Sequence, residues 1–184
     1  MPSTRRLFLP IIAALALIHH NMPPAARQRN TILAAAAIAY FSAVHNPWRP
    51  KLRIPKELLV AILFTLACTL PTIARMSSGQ ITLATPILAF IALAWLNCQA
   101  IETWESTTPT SILKPALTLT AATLIMAAAS HHHLRITLLL LTAAISSALL
   151  ALLDQQKQKL HPTTLRALAD LVLLTPAALL IFPH

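Results

Sequence analysis

The chain has 184 residues, 57% of them hydrophobic and only 10% charged, with a formal net charge of +9. A soluble domain carries about 25% charged residues, so this composition excludes an ordinary water-facing surface. The mean hydropathy of +0.69 suits lipid as the outer solvent, and the basic residues lie between apolar stretches and not on one soluble face, which argues against nucleic-acid binding.

Read in chain order, the sequence predicts an all-α polytopic transmembrane bundle forming one domain over residues 1–184. About seven spans are expected, at residues 7–22, 31–44, 57–74, 81–98, 112–130, 134–153 and 165–182. Crossing the hydrocarbon core takes about 20 helical residues, with roughly 17–25 usual. The first two spans are short by that measure unless their flanks join them. The first opens with Pro10 in its first turn, and residues 4–9 followed by an apolar run also fit a twin-arginine export signal. Pro71, Pro86 and Pro176 fall inside later spans, where neighbouring helices can satisfy the freed carbonyls. The spans are rich in Leu and Ala and show no period-two alternation, which disfavours strands. The single glycine, Gly79, leaves alanine to supply the small-residue contacts between helices.

The connectors carry Pro, Arg, Asn, Ser and Thr. Residues 46–51 and 161–164 are breakers, and Thr163 or Thr164 is expected to cap the last helix. With a cytoplasmic N-terminus, the inner side receives Arg5, Arg6, Arg49, Lys51, Arg53, Lys56, Lys114, Lys157, Lys159 and Arg166. The outer side receives Arg27, Arg29, Arg75 and Arg135. This bias orients the chain in an inner membrane by the positive-inside rule. Lipid headgroups are the expected neighbours of the basic loop Arg49, Lys51, Arg53 and Lys56.

Acids near a membrane are the first place to look for chemistry. There are five: Glu57, Glu102, Glu105, Asp154 and Asp170. If the fourth span continues as a helix, Cys98, Glu102 and Glu105 share one face. Two carboxylates at that spacing can hold one Mg2+, an ion that favours a few carboxylates plus phosphate oxygens. The competing reading is a solvated helix end with Trp104 as interfacial anchor. Arg166 and Asp170 are spaced to pair along the last helix, and Glu57 suits a helix start. Cys68 and Cys98 read as buried apolar residues. His19, His20, His131, His132, His133 and His184 fall on the expected outer side. Adjacent histidines on a helix point in different directions, which disfavours a shared metal. The sequence carries no nucleophile elbow and no phosphate-binding glycine loop.

Three segments resemble the UbiA-type prenyltransferases, helical membrane enzymes that join an isoprenoid diphosphate to an acceptor. They are residues 55–65 (PKELLVAILFT), residues 96–105 (LNCQAIETWE) and residues 168–176 (LADLVLLTP). The resemblance implies nine spans and two acidic motifs in cytoplasmic loops, which bind the diphosphate through Mg2+. If the chain lacks the family's first two spans, Glu102 and Glu105 fall in the second motif as metal ligands. Asn97 also falls in that motif, and with Arg49, Lys51, Arg53 and Lys56 it is the implied substrate-binding set. The first motif is missing, because residues 1–56 contain no Asp or Glu. Losing half the carboxylates removes much of the stabilisation that such a reaction needs. The alternative expectation is therefore a non-catalytic membrane protein that binds lipid or a partner subunit.

Overall fold

A computed structural model describes residues 17–45, 55–73, 83–106 and 110–175. Every regular element among them is a helix. The elements are α1 (Pro24–His45), α2 (Lys56–Ile73), α3 (Ala84–Glu105), α4 (Leu113–Ala129), α5 (Leu134–Gln156) and α6 (Pro162–Leu173). The fold is all-α, as the Leu/Ala-rich composition predicts. The chain divides into two units, Met1–Pro50 and Lys51–His184.

In the first unit, residues 17–21 are helical and a bend at Met22 separates them from α1. Pro24 opens α1, at a position where a missing N–H costs nothing. The Arg27 guanidinium donates from Nη2 to the carbonyls of His20, at 2.8 Å, and Met22, at 3.3 Å. It thereby satisfies acceptors that the bend leaves without an intrahelical donor. The helix is longer than the expected second span at 31–44, because polar residues join its start. Arg27, Gln28, Arg29 and Asn30 are helical, and α1 runs for 22 residues. Most of the expected first span, and with it the export-signal reading, lies outside the described residues.

In the second unit, α2 packs on α3, and α3 also meets α4, α5 and α6. α4 runs along α5, and α6 touches both α3 and α5. Successive helices reverse direction. The start of α2 therefore lies beside the end of α3, where Lys56 pairs with Glu102 at 3.8 Å. The ends of α3 and α5 meet through Trp104 and Asp154 at 3.0 Å. The start of α6 joins them through Arg166 and Glu105 at 3.3 Å.

The interior is built largely from small side chains. One cluster contains Leu93, Leu96, Ala100, Ile112, Ala116, Leu150, Ala151, Ala169 and Val172, and another Ala89, Ala127, Ile136, Leu140 and Ala143. Thr65, Thr123, Ser146 and Ser147 are fully buried. The hydroxyls of Thr123 and Ser146 donate back to Leu119 and Thr142 carbonyls, each at 2.8 Å. Thr120 and Ser147 share a hydrogen bond of 2.9 Å between α4 and α5. Leu93, Leu140, Leu150 and Leu165 are also fully buried, while other large apolar side chains face outward: Leu88 is 65% exposed, Ile125 70% and Leu171 63%. Alanine and hydroxyl side chains thus supply many of the close contacts between helices, and several bulky apolar side chains remain on the outer surface.

Helix ends differ from expectation in informative ways. α3 continues to Glu105, beyond the expected Cys98, and places both glutamates on a helix. The last helix begins at Pro162, before either threonine expected to cap it. His161 is the cap instead: its Nδ1 accepts from the Thr163 backbone N–H at 3.4 Å, and Pro162 follows as the first helical residue. Among the described residues, Ala84–Glu105 and Leu134–Gln156 are long and apolar enough to cross a membrane by length and composition. Leu113–Ala129 is apolar but shorter, and the latter part of the expected seventh span lies outside the described residues.

Candidate polar site at one end of the helices

Four of the five acids collect where α2 starts, α3 and α5 end and α6 starts. This follows from helix reversal acting on a sequence whose charges sit at helix boundaries. The last two turns of α3 are the hub. Glu102 Oε1 faces Lys56 Nζ at 3.8 Å, and Lys56 also lies 3.5 Å from Glu57 Oε1. Glu105 Oε1 accepts from Arg166 Nη1 at 3.3 Å. Both α3 carboxylates are about half exposed, at 53% and 50%. Exposed pairs of this kind contribute about 0–1 kcal/mol each.

Asp154 is of a different kind. Its side chain is 3% exposed, so an unsatisfied carboxylate there would be strongly unfavourable. Three donors converge on it. Trp104 Nε1 donates to Oδ1 at 3.0 Å and Lys157 Nζ to the same oxygen at 3.2 Å. The Ser111 hydroxyl makes a short hydrogen bond to Oδ2. Lys157 Nζ also donates to the Thr110 carbonyl at 2.7 Å. One carboxylate thus ties the end of α3, the residues leading into α4 and the end of α5 together.

The sequence-derived site residues separate into groups. Lys56 and Glu102 come together, and Glu105 joins Arg166. Arg166 therefore pairs across helices with Glu105 and not, as the spacing suggested, along its own helix with Asp170. Asn97 does not join the carboxylates. It is 4% exposed and sits on the inner face of α3, with no hydrogen-bond partner for its Oδ1. Cys98 lies within electrostatic reach of Glu57, Asp170 and Glu102. Arg49, Lys51 and Arg53 lie outside the described residues.

For a divalent ion, Glu102 and Glu105 are turned toward different protein cations. Among the described residues no group of three or more His, Cys, Asp or Glu side chains is placed to hold a metal. The His131–His133 segment is a turn and not a helix. The rings of His131 and His132 approach to 3.7 Å between centroids, and His131 Nδ1 lies 3.0 Å from the Ala128 carbonyl. Cys68 is exposed and Cys98 half-buried, and both are free thiols.

In the sequence Asp154 stands only as one of five acids and Lys157 as a basic residue of the inner side, with no role for either, and Ser111 carries no signal. The Trp104 and Ser111 partners of Asp154 lie 50 and 43 residues away, beyond any local pattern. The Asp154–Lys157 spacing was the one signal in reach. Compared with known proteins, the chain matches no family model, no curated protein and no solved structure.

Proposed function

We propose that the chain is an integral membrane protein, crossing a cytoplasmic membrane about seven times with its N-terminus inside, and that it acts without catalysis. Its charged end is a contact surface for lipid headgroups or a partner subunit. The observation that carries the membrane assignment is the outward placement of large apolar side chains such as Leu88, Ile125 and Leu171, around an interior in which Ala, Ser and Thr accompany the buried leucines. Lipid solvates such a surface, whereas water does not. The non-catalytic part rests on the pairing of Glu102 with Lys56 and of Glu105 with Arg166. Protein cations already balance the carboxylates that a metal would need.

A second reading is a UbiA-like prenyltransferase that uses Mg2+ and an isoprenoid diphosphate. Its support is spatial. The parts of these segments at 56–65, 96–105 and 168–173, far apart in sequence, lie on α2, α3 and α6, and α2 and α6 both touch α3. For it to hold, Glu102 and Glu105 must leave their ion pairs and turn to one ion. Purified protein in lipid nanodiscs, given Mg2+ and prenyl diphosphates of several lengths, separates the two readings. The non-catalytic reading expects no turnover. Mg2+-dependent turnover that is lost on replacing both glutamates with glutamine would establish the enzyme.

A further inference from the structure

The geometry points to Asp154 as a positioning residue, one that fixes the direction in which Glu102 and Glu105 leave the end of α3. Trp104 stands between the two glutamates in the same helical turn. Its indole N–H is held by Asp154 on α5 at 3.0 Å. Side chains on one helix share a rigid angular relation. Anchoring Trp104 inward therefore sets where residues 102 and 105 point: one toward Lys56 on α2, the other toward Arg166 on α6.

The anchor is better built than the pairs it orients. Asp154 is 3% exposed and has three donors, whereas each glutamate is about half exposed and has one cation within 4 Å among the described residues. The buried face of α3 ends at Ala100, and the exposed ion pairs are too weak to hold the turn beyond it. A buried carboxylate with several donors extends the hold to that last turn. Ser111 and the Lys157–Thr110 contact brace the same carboxylate from the side of α4. This role rests on the reading of that end as a contact surface, but the geometry it predicts can be read without any ligand.

The test is cross-linking in nanodiscs, in a full-length background carrying Cys68→Ala and Cys98→Ala. Three cysteine pairs are made: Lys56→Cys with Glu102→Cys, Glu105→Cys with Arg166→Cys, and Thr120→Cys with Ser147→Cys as a control for the packed bundle. A short bifunctional thiol reagent is applied with and without Asp154→Ala. The expected result is a several-fold slower reaction at both end pairs and an unchanged rate at the α4–α5 control. Trp104→Phe should reproduce that pattern, and Asp154→Asn, which keeps an acceptor for the indole, should restore part of the rate. Unchanged end pairs would overturn the proposal, as would equal slowing at all three pairs, which would mark a general folding role. If Asp154 controls the end pairs but neither anionic vesicles nor a co-purifying subunit engages that end, the contact-surface reading fails and the positioning role stands.

Discussion

Replacing Ile145 with arginine separates a lipid-facing surface from a water-facing one. Ile145 is 54% exposed and lies midway along α5, whose ends are Leu134 and Gln156. At about 1.5 Å per residue it sits roughly 16 Å from either end, close to the midplane of a hydrocarbon core about 30 Å thick. Arginine at that depth costs about 2.5–3.5 kcal/mol and isoleucine contributes about −0.3 to −0.6. The expected penalty for the helix is therefore about 3–4 kcal/mol, at least about a hundredfold in its insertion equilibrium. On a protein surface in water the same change stays within about 0.5 kcal/mol. Insertion of α5 can be read by glycosylation of flanking reporter sites in microsomes. Equal insertion and equal yield of Ile145→Arg and the parent would refute the assignment of this face to lipid.

Further expectations follow from the same geometry. Leu140 is fully buried, so Leu140→Ala should destabilise the bundle by about 2–5 kcal/mol in thermal unfolding in detergent. The Thr120–Ser147 hydrogen bond between α4 and α5 should give a double-mutant coupling of about 0.6 kcal/mol, typical of hydroxyl contacts between membrane helices. A coupling of zero would mean that the two hydroxyls do not meet. Lys56→Gln and Glu102→Gln should each change stability by no more than about 1 kcal/mol, because the pair is exposed. Asp154→Ala should cost more than either, since it strands the Trp104 indole and leaves Lys157 without its carboxylate.

Much of the fold was legible because helix identity is written locally. The expected spans at 57–74, 112–130 and 134–153 each agree with a helix to within about three residues, since apolar runs and breakers mark both ends. The errors were at polar helix ends. Residues from Arg27 to Asn30 belong to α1, and residues from Gln99 to Glu105 to α3, because a helix continues past its apolar stretch as long as its carbonyls find donors. The last helix starts early because Pro162 fits its first turn and His161 caps it.

The site was legible only as a list of acids. That Glu102, Glu105 and Lys56 lie at one end follows from counting helix reversals. Their partners do not. Arg166 reaches Glu105 across 61 residues, and Asp154 binds Trp104 from another helix. Such pairings depend on helix rotation, which Ala-rich segments with weak amphipathic patterning leave unspecified.

The most direct test is the partitioning of the expressed protein after alkaline extraction of membranes. The account predicts that the chain stays in the membrane pellet and enters solution only with detergent. Recovery of a monodisperse species in detergent-free buffer would contradict it, because Leu88, Ile125 and Leu171 would then stand in water.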